Sequence, residues 1–327
     1  MLFHTIENNL EDAMENRSLY IEIAHWYYTL GMTQVEIAKR LCFTRQKVNK
    51  MINSLADMGI VTIRVNGYER SKTSYECALE EHFNLQQVIV SESYQEVSDY
   101  LPTLANTAAQ YLEDIISANS VIGVSWGKTL AAVISNLSFR QKSGCTVVQM
   151  VGAQNIMNES QLKSDEIARS LADKLDCACY MLYAPVVLGQ PETKTMLMQE
   201  PTIIKAYELM KKCDLALFGI GELNATSTMS QRGYLSENDI THLRQDGFVG
   251  DICMNPIRLD GSKDQCFIRN RIISADMEIL KGIPNVVAIA GGKNKIEAII
   301  GALSSGVINT LIIDDVTAEA IVKTLNI

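Results

Sequence analysis

Two short segments rich in glycine and lysine have residue types and spacing that could hold an anion. In Val121–Thr129 (VIGVSWGKT), a predicted strand runs into a predicted helix through small residues, a lysine and a threonine. In Ala290–Ile299 (AGGKNKIEAI), Lys293 and Lys295 stand at the first turn of a helix that follows a buried strand. Free N–H groups at a helix N-terminus favour a phosphate, and lysines there suggest an anion to neutralise. A solvated first turn is the alternative for the second segment.

Nucleotide chemistry is not expected at these glycines. The P-loop motif G-x-x-x-x-G-K-[ST] requires a glycine five residues before Gly127, and Ile122 stands there. The segment Phe218–Glu222 (FGIGE) has two glycines of a dinucleotide fingerprint, but Asn224 replaces the third. Tight packing of a loop is the preferred interpretation of that segment. The sequence therefore predicts no nucleotide cofactor.

A single acid follows a small residue in Gly250-Asp251-Ile252, where its carboxylate could accept hydrogen bonds from sugar hydroxyls. Proton transfer beside a sugar carbonyl would need a positioned carboxylate or histidine. Asp251 and Glu222 are the candidates for that role, and none of the glycine-rich segments contains a histidine. Ligand binding is therefore preferred over catalysis, and a sugar-phosphate isomerase or deaminase is the alternative.

Metal binding and secretion are not expected either. The eight cysteines include no C-x-x-C pair, and the four histidines are scattered along the chain. The N-terminus has neither a basic start nor an apolar stretch, and no apolar run approaches the roughly 18 residues of a membrane helix. The sequence predicts a soluble cytoplasmic protein with reduced thiols and no membrane partner.

Residues 33–50 (TQVEIAKRLCFTRQKVNK) form a basic island in an acidic chain. The island has five basic residues against one carboxylate, Glu36, whereas the whole chain has a net charge of −9. A local basic face on an acidic body is typical of a compact module that binds DNA. The alternative is a solvated helix face without a partner.

Local signals give the island its predicted shape. Thr33 and Glu36 have the spacing of a capping box, which begins a helix, and Thr44 offers the N-cap of a second helix that ends at Gly59. An earlier helix is predicted over residues 17–30. Three helices with a tight turn between the last two predict a helix-turn-helix domain.

The apolar side of that unit is predicted from helical spacing. The first helix supplies Leu19, Ile23, Trp26, Tyr27 and Leu30. The second supplies Val35, Ile37, Ala38 and Leu41. After the third helix, residues 60–65 alternate like a strand and Asn66-Gly67 is a turn signal, which suggests the wing of a winged helix, with Arg64 as a phosphate contact or an ordinary surface residue.

The last helix of the island has a polar end that can reach DNA. Its exposed residues are predicted to be Thr44, Arg45, Gln46, Lys47, Asn49 and Lys50. Arginine pairs with the guanine edge, glutamine or asparagine with adenine, and threonine or lysine with phosphate. These residue types on the first two turns predict contacts in the major groove.

The rest of the chain alternates strands with helices. Predicted strands are Gln87–Ser91, Val121–Ser125, Thr146–Val151, Cys179–Tyr183, Leu215–Ile220, Val286–Ala290 and Thr310–Ile313. Predicted helices cover about 75–86, 98–117, 127–137, 164–175, 202–212, 293–304 and 317–325. This α/β pattern indicates a mostly parallel sheet covered on both faces, with ligands at the carboxyl ends of the strands. We expect a DNA-binding domain at residues 1–66 and a larger domain at residues 67–327.

Together these segments resemble the SorC family of sugar-binding transcriptional regulators. The resemblance rests on IAHWYYTLGMTQVEIAKRLCFTRQKVNKMI, GVSWGKTL, VVQMVGA, DLALFGIGEL, GYLS, GFVGDI, AGGKNKIEAIIGAL and INTLIID, in this order. It implies a winged-helix-like DNA-binding domain. It also implies an effector domain similar to glucosamine-6-phosphate deaminase, ribose-5-phosphate isomerase and CoA transferases. Double-stranded operator DNA, a phosphorylated sugar and further copies of the chain, as a dimer or tetramer, are the implied partners.

The resemblance also assigns roles to residues. Those implied near the effector phosphate are Ser125, Gly127, Lys128, Thr129 and Lys295. Asp251 and Gln149 are implied to hold the sugar, and Tyr27 and Gln34 to steady the DNA backbone. Some members bind an aldehyde sugar covalently through a lysine at the position of Val151, so a Schiff base at that position is excluded here.

The expected function is therefore that of a transcriptional regulator of a carbohydrate-utilisation operon whose operator affinity is controlled by a sugar effector. The enzyme alternative has an accessory helical domain. A constitutive architectural DNA-binding protein fits poorly, because such proteins mainly need basic surface and this chain carries a large acidic domain.

Overall fold

The computed structural model of the protein describes residues 17–55, 58, 60–61, 73–92, 99–153, 164–224, 227–231 and 233–327. The chain divides into two compact units, Met1–Ser71 and Lys72–Ile327. The predicted boundary between residues 66 and 67 lies outside the described residues and stays a prediction. Within the described ranges, no helix is both long enough and apolar enough to cross a membrane.

The described part of the smaller unit contains three helices around one apolar core. Helix α1 covers residues 17–24 and continues into a π-helical turn, His25–Thr29. Helix α2 is Gln34–Leu41 and helix α3 is Arg45–Ser54. The core comprises Ile23, Ala24, Ile37, Ala38, Val48, Met51, Ile52 and Leu55. The predicted helix-turn-helix order is confirmed.

Side-chain caps fix where α2 and α3 begin. The Glu36 carboxylate accepts a hydrogen bond from the Thr33 backbone N–H at 2.8 Å, and the Thr33 hydroxyl accepts one from the Glu36 N–H at 3.3 Å. This confirms the predicted capping box. Cys42 adopts a left-handed conformation (φ 56°) that reverses the chain, and the Thr44 hydroxyl then caps α3.

Two predicted core positions of this unit are wrong. Leu30 is 57% exposed, because the Leu30 N–H bonds the carbonyl of His25 five residues back and the extra residue in that turn rotates its side chain outward. Val35 is 45% exposed, because it lies two positions before Ile37 and so on the opposite side of α2.

The predicted wing falls largely outside the described residues. Ile60 and Val61 are described and are not part of a strand, and the remainder of residues 60–65, Arg64 and Asn66-Gly67 lie outside the described ranges. The third helix was predicted to extend to Gly59, whereas α3 ends at Ser54.

The larger unit is built on one nine-stranded sheet. Its strands are β1 Gln87–Ser91, β2 Val121–Val124, β3 Thr146–Gln149, β4 Ala178–Tyr180, β5 Leu215–Glu222, β6 Phe248–Ile252, β7 Asn255–Arg258, β8 Asn285–Ala290 and β9 Thr310–Asp314. Seven strands follow the order β1-β9-β8-β5-β2-β3-β4 with parallel pairing, and β6 and β7 extend from β5 as an antiparallel arm. The predicted mostly parallel sheet is confirmed.

Helices cover both faces of that sheet. They are α4 Ser74–Phe83, α5 Leu101–Ile115, α6 Lys128–Asn136, α7 Ser164–Leu175, α8 Pro191–Leu197, α9 Pro201–Met210, α10 Thr228–Gln231, α11 Glu237–Gln245, α12 Met277–Lys281, α13 Ile296–Ser304 and α14 Asp315–Leu325. Val286 and Ala288 of β8 point into one apolar core, and Val287 and Ile289 point into the other. Burial on both faces explains why these strands are apolar without alternation.

The antiparallel arm was not predicted. The strand predicted to end at Ile220 continues to Glu222 as β5, so the interpretation of the FGIGE glycines as part of a loop is wrong, and Asp251, predicted near a turn, lies on β6 paired with Gly221. A Cβ at Gly221 would overlap the Asp251 carboxylate, and one at Gly250 would overlap Ala298 of α13. The glycines are needed for this close strand pairing.

Removing the N-cap of α2 should loosen that helix selectively. In Thr33→Ala the Glu36 N–H loses its acceptor, at a cost of about 1 kcal/mol. Hydrogen exchange of the intact chain should show faster exchange in the first turn of α2 by roughly fivefold, with α14 unchanged as the internal control. Thr44→Ala should instead speed hydrogen exchange in the first turn of α3. Equal exchange rates in wild type and Thr33→Ala would contradict the capping role of Thr33.

Candidate functional site

The carboxyl ends of β2 and β5 border a cavity of about 240 Å³. Its walls include six residues that the sequence singled out for effector binding: Ser125, Gly127, Lys128, Thr129, Asp251 and Lys295. These residues come from three separate stretches of the chain. The structure therefore brings most of the predicted effector residues to one place, at the sheet edge where ligands of α/β proteins bind.

The N-terminus of α6 forms one part of this cavity. Gly127 is its N-cap, with a backbone φ of +127° that other residues rarely adopt, and no side chain caps the helix. The first backbone N–H groups of the helix are consequently not used by a side-chain cap. These N–H groups carry partial positive charge and the Lys128 ammonium carries a full one, and both suit a phosphate.

Lys295 supplies a second cation to the cavity. Its Nζ donates a hydrogen bond to the carbonyl of Ile220 at 3.2 Å. Burial lowers the pKa of the Lys295 ammonium, while the nearby carboxylates of Glu222 and Asp251 act in the opposite direction. Lys293 is exposed and is not among the cavity residues. The predicted lysine pair is thus divided, with one lysine in the site and one at the surface.

The turn that carries Lys295 is held by residues at the carboxyl end of β9, the strand that pairs with β8. The Gly292 N–H donates to the Asp314 carboxylate at 3.1 Å and to the Thr317 hydroxyl at 2.8 Å. The Lys295 N–H then donates to the Gly292 carbonyl at 2.9 Å. Asp314 ends β9 and also caps α14. Asp314 is not among the residues predicted for the site, although a carboxylate directly after the buried run INTLII is a usable signal.

Asp251 is the buried acid of the site. It is 6% exposed, and its Oδ2 accepts a hydrogen bond from the Met254 N–H at 2.9 Å. Burial raises the pKa of Asp251 to about 6, against the lowering effects of that hydrogen bond and of Lys295. A carboxylate with this environment can accept a hydrogen bond from a bound hydroxyl at neutral pH.

Glu222, Tyr100 and Trp126 also line the cavity and were not predicted as effector residues. The Glu222 Oε2 accepts a hydrogen bond from the Asn294 amide at 2.8 Å. Tyr100 packs so closely on the glycine turn that a Cβ at Gly291 would overlap its ring. These contacts join residues far apart in the chain, and no local pattern in the sequence indicates them.

Gln149 is not brought to this cavity. Its side-chain Nε2 donates to the Val151 carbonyl at 2.8 Å, and its Oε1 accepts from the Leu182 N–H at 2.9 Å. Gln149 lines a different cavity, of about 310 Å³, together with Arg169 and Tyr183. The amide therefore ties the end of β3 to the segment after β4. The structure does not support the expectation that Gln149 holds the sugar.

The smaller unit places its polar residues on one side of α3. The predicted DNA-contacting residues Thr44, Arg45, Gln46, Lys47, Asn49 and Lys50 are all exposed. The opposite side of α3 is buried through Val48, Met51 and Ile52. Lys47 lies over the ring of Phe43 with its Nζ 3.6 Å from the ring centroid. The first turn of α3 has no acid, so this face is suited to approach a polyanion.

Tyr27 and Gln34 lie beside this helix. Both are half-buried and line a surface depression that also includes Arg45. The Gln34 Nε2 donates a hydrogen bond to the side-chain Oδ1 of Asn49 at 3.1 Å, which connects α2 to the first turns of α3. This position is compatible with the expected role of Tyr27 and Gln34 in steadying a DNA backbone.

A helix-turn-helix unit and a parallel α/β unit with a cavity lined by Lys128 and Lys295, in one chain, define a class: ligand-binding transcriptional regulators. Residues 70–323 match the sugar-binding domain family (Sugar-bind). The chain belongs to this family, and the expected resemblance to SorC-type regulators is confirmed.

Individual relatives are similar over nearly the whole chain. The deoxyribonucleoside regulator of Bacillus subtilis (strain 168) is 28% identical over 314 residues, covering 95% of this chain and 99% of the relative. The full-length sorbitol operon regulator SorC of Klebsiella pneumoniae is 25% identical, with a TM-score of 0.70, covering 94% of this chain and 99% of that structure. A DeoR family regulator from Listeria monocytogenes is 33% identical, with a TM-score of 0.70, covering 76% and 98%.

Asp251 should give the stability of the protein a specific pH dependence. Because its pKa is raised in the fold, the protonated carboxyl stabilises the fold below its ordinary value of 3.8, and this contribution is lost as pH rises through about 6. From pH 7.5 to pH 5, wild type should therefore gain about 1 kcal/mol in free energy of unfolding relative to Asp251→Asn. Urea unfolding of both proteins at both pH values measures this difference. A difference that stays constant or has the opposite sign would contradict the burial argument.

Proposed function

We propose that the chain binds double-stranded operator DNA through α3 and that a phosphorylated sugar in the cavity controls this affinity. The observation that carries the proposal is the meeting of an uncapped helix N-terminus, Lys128 and Lys295 in one cavity with the buried Asp251. The helix end and the lysines suit a phosphate, and the carboxylate suits the hydroxyls of a sugar.

The charges favour a phosphorylated sugar over a free one. A free sugar would need hydroxyl-binding groups but no concentration of positive charge. Burial lowers the pKa of the Lys295 ammonium, Glu222 and Asp251 act in the opposite direction, and Lys128 adds a further lowering effect, so the two cations repel each other. A phosphate between them would relieve that repulsion and would gain charge-assisted hydrogen bonds.

Control of DNA affinity follows from linkage between the two sites. A ligand that binds one arrangement of the protein better shifts the equilibrium toward it, and typical coupling between sites is about 1 to 3 kcal/mol. The sorbitol operon regulator and the deoxyribonucleoside regulator are named for the operons or ligands of carbohydrate metabolism. We propose the same kind of target for this protein, acting in the cytoplasm as a dimer or tetramer on half-sites spaced by whole helical turns.

We propose no catalytic turnover. None of the described residues that line the cavity is a histidine, and Asp251 and Glu222 are its carboxylates. Turnover of ribose 5-phosphate or glucosamine 6-phosphate that is abolished in Asp251→Asn would establish the enzyme alternative.

The proposal is tested by operator binding in the presence of sugars. DNA from upstream of the gene and of the neighbouring operon is titrated with protein at fixed salt, because phosphate contacts make DNA affinity steeply dependent on ionic strength. A panel of sugars is added in phosphorylated and unphosphorylated form. A shift of the binding curve by a sugar phosphate, and not by the free sugar, supports the proposal. Specific DNA binding that no sugar phosphate shifts would contradict the effector assignment.

Arg45→Ala should weaken specific operator binding by about 1 to 3 kcal/mol if Arg45 contacts a base. Arg45 is exposed on the first turn of α3, so its removal leaves the core of the unit intact. The measurement compares operator DNA with a scrambled sequence at the same salt. The loss should be larger on the operator than on the scrambled DNA. Unchanged affinity and unchanged sequence preference would remove Arg45 from the recognition residues.

Lys295→Ala should lower effector affinity by about tenfold or more, because hydrogen bonds to charged groups contribute about 1.5 to 3 kcal/mol. Operator binding without effector should stay intact. Lys293→Ala is the matched control, since Lys293 is in the same turn but is exposed. Calorimetric titration with the sugar phosphate that shifts the DNA curve measures both variants. Loss of DNA binding as well in Lys295→Ala would indicate a folding role instead.

A further inference from the structure

Glu222 occupies a boundary position that the proposed function does not use. It lines the effector cavity and also a second cavity of about 520 Å³. The second cavity includes Asn294, Arg244 and Glu297, and the hydrogen bond between Glu222 and Asn294 joins two side chains that both line it. A ligand whose phosphate lies at α6 and whose other end extends toward the end of β5 therefore meets the Glu222 carboxylate.

The hydrogen-bonding groups at that end have defined capacities. One oxygen of Glu222 accepts a hydrogen bond from Asn294. Within the described part of the chain, the structure gives the second Glu222 oxygen no hydrogen-bond partner. A carboxylate only accepts hydrogen bonds, so a ligand group that satisfies this oxygen must donate one. A hydroxyl of the ligand can do so.

An anionic group at the same place would not satisfy this oxygen. A carboxylate or a second phosphate would stand beside Glu222 with the same charge and without a proton to donate. Asp251 adds a further carboxylate close to Lys295, as its effect on the pKa of that lysine shows. Like charges placed together in a partly desolvated site suppress binding of the wrong ligand.

We propose that Glu222 is a specificity-determining residue that selects monophosphates whose end distal to the phosphate carries hydroxyls, and excludes those with a second anionic group there. This inference rests on the proposed function, because it takes the phosphate to lie at α6. The effector class is then a neutral-ended sugar or polyol monophosphate, as opposed to a bisphosphate or a phosphorylated sugar acid.

The test uses ligand pairs that differ only at the distal end. Calorimetric titrations of the full chain compare fructose 6-phosphate with fructose 1,6-bisphosphate, glucitol 6-phosphate with 6-phosphogluconate, and ribulose 5-phosphate with ribulose 1,5-bisphosphate. Wild type and Glu222→Gln are measured side by side, since glutamine keeps the shape and removes the charge. Glu297→Gln is the matched control, because Glu297 lines the second cavity but not the first and its side chain is 63% exposed.

We expect wild type to prefer the monophosphate with the hydroxyl end at least tenfold in every pair that binds. Glu222→Gln should reduce that preference severalfold, mainly by tightening the doubly anionic member, and Glu297→Gln should keep it. Equal or tighter wild-type binding of the doubly anionic member, or an unchanged preference in Glu222→Gln, overturns the inference while leaving the proposed phosphate site standing. Failure of every phosphate in the panel to bind wild type overturns the proposed function, and this inference with it.

Discussion

The close approach of β5 and β6 at Gly221 is the constraint on which the site depends. Because Gly221 has no side chain, the Asp251 carboxylate can lie directly against the backbone of β5. There it is removed from water, and its charge is offset by the Met254 N–H and by Lys295. Burying one of these charges without the other would be costly, so the arm and the lysine turn stabilise each other.

The sheet makes this arrangement possible because its core is tightly packed and because its central strands run in the same direction. Strands β2, β5, β8 and β9 are parallel and buried on both faces, so their carboxyl ends lie along one edge. Helix N-termini and short turns follow directly from those ends. The groups that contact a ligand are consequently held by a packed core, and the turn with Lys295 is held by Asp314 from the neighbouring strand.

Local patterns were enough to predict much of this fold. The capping box at Thr33, the alternation of apolar strands with helices, and the strand-to-helix turn before Lys128 all depend on residues within a few positions of each other. The class of fold followed from such signals, or from the resemblance they support, and so did six of the seven residues predicted for effector binding, which the structure brings to one cavity. Gly127 is one of these six, and its backbone conformation is one that an L-residue rarely adopts.

What the sequence did not predict depends on long-range contacts. The hydrogen bond from Asn294 to Glu222 and the contact of Tyr100 with the glycine turn join distant segments. The sequence does not predict that β5 continues beyond Ile220, because its pairing with β6, which requires Gly221, is not visible in either segment alone. The difference between Lys293 and Lys295 arises from the short 3-10 turn, which directs only the second lysine into the cavity.

The segregation of charge has a consequence for control of DNA binding. Five basic residues and one acid lie in residues 33–50 of a chain with a net charge of −9, so the acidic remainder opposes adhesion to DNA in general. Operator binding must then depend on specific contacts of α3 more than on bulk electrostatic attraction. A coupling of about 1 to 3 kcal/mol changes the affinity for operator DNA by roughly 5- to 150-fold. Under the proposed function, a ligand that binds the cavity through one phosphate and a few hydroxyls has to supply a difference in free energy of only that size.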